Sequence, residues 1–189
     1  MLTHYIGIYE DITQTKLAQQ RIERLAYTDN LTNLGNRPAF IRNLDERFAR
    51  DSDTPISLLL VDIDNFKRIN DSLGHQTGDK LLISLARRLR NSLSPSGSLA
   101  RFASNEFAVL LDNTDLETGQ QIASQLLMTL DKPMFVDNQL ISVTGSVGLA
   151  SAPLHGRDPQ TLMRNAGLAL HKAKANGKHQ VQVFTEALN

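Results

Sequence analysis

The chain has 189 residues, 41% of them hydrophobic and 21% charged, which suits a globular domain with one good core plus extensions. Twenty Lys+Arg offset twenty Asp+Glu, so no global basic field argues for a nucleic-acid partner, and the lack of cysteine excludes disulfides and thiolate zinc sites while fitting a reducing compartment. No apolar run approaches the roughly 18 residues of a membrane span and no signal-peptide pattern opens the chain, so no membrane contact is expected of it.

Residues Tyr5 to Ile12 (YIGIYEDI) alternate apolar with other side chains, which predicts a strand. Ending in Asp11-Ile12-Thr13, residues 1–13 read as the end of a preceding unit. A polar helical stretch follows over 14–27, with Leu17, Arg21, Ile22 and Leu25 as a weak apolar stripe. It is too short and too polar to be stable alone, so it is either a surface helix or a connector that pairs with its copy in a homodimer.

From 28 to 185 the pattern is that of one α/β unit. Arg37-Pro38 opens a helix to about Arg50, with proline at a permitted first-turn position. Pro55 precedes a buried strand, Ile56 to Ile63, and Phe66 to Leu73 is helical or looped. Gly78-Asp79 opens a long helix to about Leu93, with Leu81, Leu82, Leu85, Ala86 and Leu89 on one side. After the break at Ser94-Pro95-Ser96-Gly97, Ser98–Phe102 and Phe107–Leu111 predict a hairpin around an Ala103-Ser104-Asn105-Glu106-Phe107 tip. A helix over 116–130, strands over about 134–137 and 140–151, a helix from Pro159 to Ala175 and a short strand from Val181 to Phe184 complete it. Residues 186–189 lead out toward a following domain. Helices mixed with antiparallel strands make this an α+β fold, a sheet with helices packed on it.

The candidate chemistry gathers where the first buried strand ends. Asp62 and Asp64 are two apart, so on a strand both carboxylates can face one site. Asp62 is suited to a hard cation such as magnesium, which takes oxygen donors and substrate phosphates; Asp64 can instead brace the next turn. Phe66-Lys67 places a cation and free backbone N–H groups after the strand, where a phosphate can sit. Asn70 and Asp79 carry the donors and acceptors that read a purine edge, with Gly74 and Gly78 allowing tight backbone around them. Both can equally be helix caps, and for Asp79 capping and base reading both stay open.

The run Asp62-x-Asp64-x-Phe66-Lys67-x-x-Asn70-Asp71-x-x-Gly74-His75-x-x-Gly78-Asp79 resembles the GGDEF family of diguanylate cyclases. Asp29-x-Leu31-Thr32-x-Leu34-x-Asn36-Arg37 at the domain entrance and Ala173-Lys174-x-x-Gly177-Lys178 near its end match further family blocks. The resemblance covers about residues 25–185. It implies a central, mostly antiparallel five-stranded sheet surrounded by helices, like nucleotide cyclase and polymerase palm domains, behind an N-terminal connector helix. Family members condense two GTP into cyclic di-GMP across a dimer. By resemblance Asp62 and the Ile63 carbonyl would hold Mg2+, Asn70 and Asp79 would recognise guanine, and Phe66, Lys67, Lys174 and Lys178 would complete the nucleotide site. Residues 1–13 resemble the end of a PAS sensor domain and 14–27 the connector from PAS to GGDEF domains; many such proteins continue into an EAL phosphodiesterase domain.

The hairpin departs from the family pattern of Gly-Gly-Asp/Glu-Glu-Phe. Ala103 and Ser104 stand where glycines let backbone approach the triphosphate. Asn105 stands where a carboxylate grips metal and helps activate the attacking 3′-hydroxyl; an amide carries no charge and accepts no proton at neutral pH. Glu106, one residue on, is expected to face the other side of the strand and to be a poor substitute. The family's Arg-x-x-Asp inhibitory product site falls at Ser94 and Gly97 and is expected to be absent. Lys178 replaces a usual Arg, and Gly167 and His171 replace the usual Asp and Tyr. The implied function is a catalytically inactive, cytoplasmic GGDEF domain that binds GTP, with Mg2+ at a weakened site, and regulates a linked EAL phosphodiesterase in a PAS-containing parent. The alternatives are a cyclase of weak residual activity and a nucleotide-free dimerisation domain.

Overall fold

The computed structural model describes all 189 residues. Residues 1–12 form no strand, and Tyr5, Ile6, Ile8 and Tyr9 are exposed. The alternation there suits a half-buried strand, but no strand of this chain pairs with it, and lone extended backbone gains no ladder. Helix α1 (Thr13–Tyr27) follows and buries none of its residues. No helix is long and apolar enough to cross a membrane.

Local signals place most of the other elements. Helix α2 (Arg37–Arg50) starts where the Asn36 side chain accepts from the Ala39 N–H. Strand β1 (Ile56–Ile63) is buried along its whole length. Helices α3 (Phe66–Leu73) and α4 (His75–Ser92) meet at Gly74. The long helix thus begins a turn before Gly78-Asp79; the chain reverses at Gly74 (φ 89°), so neither Gly78 nor Asp79 is a cap. Strands β2 (Gly97–Ala103) and β3 (Glu106–Leu111) form the hairpin, and α5 (Leu116–Asp131) is capped by Asp115 accepting from the Thr118 N–H. The strand expected over 140–151 is two. Strand β5 (Gln139–Ile141) pairs only with β4 (Met134–Val136), while β6 (Gly145–Ala152) joins the main sheet. Helix α6 (Pro159–Ala175), strand β7 (Val181–Val183) and a 3₁₀ turn (Glu186–Leu188) close the chain.

The five-stranded sheet runs β2-β3-β1-β6-β7, antiparallel throughout except the β6–β7 pair. Each face of β1 feeds a different core. Leu59, Val61 and Ile63 pack with Leu81, Leu85, Phe107 and Leu126 under α4 and α5. Ile56, Leu58 and Leu60 pack with Phe40, Leu44, Leu162 and Ala166 under α2 and α6. Helices on both faces explain why β1 reads as a continuous apolar run rather than an alternation. Helix α6 lies so close on β6 that a Cβ at Gly148 would sit 2.3 Å from the Ala166 carbonyl oxygen and the Leu170 nitrogen. This packing leaves the C-terminal end of β1, the β2–β3 tip and the end of α6 grouped at one rim.

Candidate functional site

Asp62, 7% exposed, is the centre of that rim. Its Oδ1 accepts from Asn105 Nδ2 at 3.1 Å, and its Oδ2 accepts from Lys174 Nζ at 3.0 Å. The same Asn105 nitrogen donates to the Ile63 carbonyl at 3.0 Å. The Asn105 backbone is held too, its carbonyl accepting from the Ile63 N–H at 2.9 Å. Both oxygens facing the amide are pure acceptors, so the NH2 group must point at them. A divalent cation does not fit this arrangement, because an N–H donor already lies against both of the oxygens it would need. Nor do three carboxylate or imidazole groups converge into a metal-holding cluster.

Glu106 is not on the other side. It lies directly opposite Asp62 in the β1–β3 ladder, and directly opposed residues project to the same face. The alternation argument fails because Asn105 belongs to the turn, not to β3, and the β2–β3 register shifts between Arg101 and Ala103. Burial, then the neighbouring Asp62 charge, raises the Glu106 carboxyl above its usual value, against Lys174 and Arg37 pulling it down. Glu106 also lines a cleft of about 600 Å³ between α2 and α6, with Arg37, Phe102, Met163, Arg164 and Gly167. Gly167 adds no wall there, since a Cβ on it would meet nothing. The cleft does not reach Asn70, Asp79 or Lys67.

Asp62 and Asp64 do not share a ligand position. Asp64 accepts from Thr144 Oγ1 at 2.6 Å, Ser146 Oγ at 2.7 Å and the His179 N–H at 3.1 Å. It braces the strand end, the second of the two roles its position allows. Lys178 Nζ donates to Asn65 Oδ1 at 2.8 Å, which sets it at the start of α3, while Lys67 is exposed.

Asn70, Gly78 and Phe66 form a second group where α3 packs on α4. The Oδ1 of Asn70 is buried and has no hydrogen-bond partner in the chain. A Cβ at Gly78 would lie 1.8 Å from that oxygen and 3.3 Å from Phe66 Cζ, so glycine here makes room for the asparagine. Asp79, in the second turn of α4, is exposed, and its carboxylate makes no hydrogen bond within the chain. The Asn70 oxygen faces Gly78 inside the α3–α4 packing, so its side chain must turn outward before it could meet a ligand, whereas the Asp79 carboxylate is already exposed.

Two contacts went unread in the sequence. Arg101 donates from Nη1 to Asp29 Oδ1 at 2.9 Å and from Nη2 to the Ser104 carbonyl at 3.1 Å, tying the domain entrance to the hairpin tip. Arg90 donates to the Gly97 carbonyl at 2.9 Å and the Ser94 carbonyl at 3.0 Å, so these two positions hold an arginine of their own chain through backbone oxygens. The Asp29 partner of Arg101 lies 72 residues away, and the nearby carbonyl acceptors of Arg101 and Arg90 have no sequence identity, so residue types alone reveal neither contact.

A family model described as diguanylate cyclase, GGDEF domain, matches residues 26–180. The chain is 36% identical over 181 residues to the cyclic di-GMP phosphodiesterase NbdA of Pseudomonas aeruginosa, covering 94% of this chain and 23% of that protein. It is 35% identical over 179 residues to the cyclic di-GMP phosphodiesterase PdeR of Escherichia coli K12, covering 95% and 27%. A Vibrio cholerae protein named diguanylate cyclase is 34% identical over 186 residues, covering 96% and 57%. The chain thus spans about a quarter of the length of the first two relatives. Among solved structures, the isolated GGDEF domain of TpbB (YfiN) from Pseudomonas aeruginosa superposes with a TM-score of 0.82 at 31% identity, covering 86% of this chain and 96% of that one. The coiled coil and GGDEF domain of DgcB from Caulobacter crescentus, solved with c-di-GMP, superposes with a TM-score of 0.83 at 28% identity, covering 91% and 93%.

Proposed function

Because the chain belongs to the GGDEF family of diguanylate cyclase domains, we propose that it is a catalytically inactive member that binds GTP and acts as a regulatory module in cyclic di-GMP signalling. The observation that carries inactivity is Asn105. It is neutral, and both of its N–H bonds are committed to Asp62 and Ile63. No group at that position can take a proton from a 3′-hydroxyl, a loss of about 10²–10⁴-fold in rate for a positioned base. Ala103 and Ser104 add side chains where family members have glycine. Retained nucleotide binding is supported by the Asn70 side chain, which no hydrogen bond of its oxygen ties to the chain, and by the exposed Asp79 and Lys67.

Chain context belongs to the same proposal. Residues 1–13 end a PAS sensor domain, 14–27 connect it to this domain and pair in a homodimer through Leu17, Ile22 and Leu25, and 186–189 lead to an EAL domain in a cytoplasmic parent phosphodiesterase. The names of two relatives, both cyclic di-GMP phosphodiesterases, support that parent.

Calorimetric titration with GTP, together with chromatography of a GTP reaction, tests the proposal. Saturable GTP heat with no cyclic di-GMP is the expected result; no heat at millimolar GTP and an unchanged melting curve would overturn it. One observation favours a second reading, a weak cyclase: the Glu106 carboxyl lies beside Asp62 and its raised pKa suits proton transfer. Cyclic di-GMP that disappears with Glu106→Gln would select that reading.

A further inference from the structure

The contacts around Asp62 say more than that a carboxylate is missing from the hairpin. In a magnesium site, oxygens with no donor of their own are held together by the ion, at about 2.0–2.1 Å each. Here one nitrogen, Asn105 Nδ2, lies 3.1 Å from Asp62 Oδ1 and 3.0 Å from the Ile63 carbonyl, so it bridges the two oxygens that a cation would bridge. The remaining oxygen of Asp62 faces the Lys174 ammonium at 3.0 Å. Every acceptor at the rim end of β1 is therefore satisfied by a donor of the chain itself. The charge of Asp62 is offset by Lys174, and the partial positive N–H groups of an amide stand in for the ion.

From this we infer that Asn105 and Lys174 form a resident latch that replaces the divalent cation: the hairpin tip is fixed to β1 without metal, and the domain takes up guanine nucleotide independently of Mg2+. The nucleotide part rests on the GTP-binding reading above; the latch does not. Turning the amide over would set its oxygen against two acceptors, so the latch has one orientation. Replacing it by a carboxylate would set three oxygens together in a half-buried corner, an arrangement that calls for a cation. Asn105→Asp should therefore convert a metal-indifferent tip into a metal-dependent one with no other change.

The test uses Mn2+ and Mg2+ as probes on the whole chain. Free Mn2+ is followed by paramagnetic resonance, and melting is followed in EDTA and in millimolar metal. The wild-type chain is expected to bind no Mn2+ at this site and to melt at the same temperature in both media. Asn105→Asp is expected to melt lower in EDTA and to recover by roughly 5 °C or more in saturating metal. Adding Asp62→Ala to that variant should abolish the recovery. Submillimolar Mn2+ binding by the wild-type chain that Asp62→Ala removes would overturn the inference, and this measurement decides even if Asn105→Asp does not fold. GTP titrations in EDTA and in Mg2+ should give affinities within about twofold of each other, and a gain of about tenfold or more in Mg2+ would overturn the metal-independence. If the wild-type chain ignores Mn2+ but binds no GTP at all, the proposed function fails and the latch stands.

Discussion

Asp62 and Glu106 are direct partners across the β1–β3 ladder, so two carboxyl groups share one face of the sheet at its rim. Like charges placed opposite each other are destabilising, and burial adds to the difficulty of ionising Glu106. Glu106→Gln keeps the shape and removes one charge. It should stabilise the chain at neutral pH by about 0.5 kcal/mol, read as a small rise in Tm or in urea midpoint at constant slope. A fall of similar size would mean that Glu106 is held chiefly by Lys174 and Arg37.

The Asp29–Arg101 pair sets a pH dependence of stability. Burial pushes Asp29 up, but the Thr32 hydroxyl and N–H together with Arg101 outweigh it, and its carboxyl ends below the usual 3.8. A carboxylate with a depressed native pKa contributes stability above 3.8 and loses it as pH falls through the native value. Asp29→Asn should cost about 2 kcal/mol at neutral pH, the scale of a lost charged hydrogen bond. The gap between wild type and variant should narrow in acid below 3.8, measured by urea unfolding at several pH values. A gap that stays constant into acid would remove the ion pair as its cause.

Two buried glycines should respond differently to the same change. Gly148→Ala drives a methyl into α6 backbone at 2.3 Å, where nothing flexible can yield, and should destabilise by about 3 kcal/mol or more. Gly78→Ala presses on the end of the Asn70 side chain, which can swing aside, and meets the Phe66 ring at 3.3 Å, where a few tenths of an ångström must give, while alanine is the better helix former. Its Tm should change little. Displacing Asn70 should instead weaken guanine nucleotide binding by about tenfold, the loss of one good hydrogen bond. Equal Tm losses in the two variants would contradict this contrast.

Restoring the hairpin tests the assignment of inactivity to its three altered positions. The combined Ala103→Gly, Ser104→Gly and Asn105→Asp chain should form cyclic di-GMP from GTP at least about 10²-fold faster than wild type. Chromatography of the products decides. A restored variant that folds, binds GTP and still makes none would place the defect elsewhere, with Gly167, His171 and Lys178 among the remaining departures.

Much of the fold was legible because its signals are local. The continuous apolar run of β1, the Asn36 and Pro38 start of α2 and the Asp158-Pro159 start of α6 each carry their own boundary. What was misread depended on distant partners. Tyr5–Ile12 has the alternation of a strand but nothing to pair with, and the stretch 140–151 divides because its first part belongs to β4 and its second to β1. Gly78 reads as a helix start until Asn70 is seen beneath it. At the rim, residue types were readable but directions were not. Alternation predicts facing only within a strand, and the turn at Asn105 resets it, which brings Glu106 to the side of Asp62. That an amide would bridge Asp62 and Ile63 follows only once β1 and the tip are placed together.

Asp64 collects hydrogen bonds from Thr144 and Ser146 at the start of β6 and from the backbone of His179, two stretches far from it along the chain. Removing it would strand three donors near the protein interior, a cost borne in folding whether or not any reaction is run. Asp64 here therefore reports a sound scaffold and says nothing of competence. In this chain the aspartates two apart speak for the scaffold, and the proposed loss of activity is carried by the turn position, Asn105.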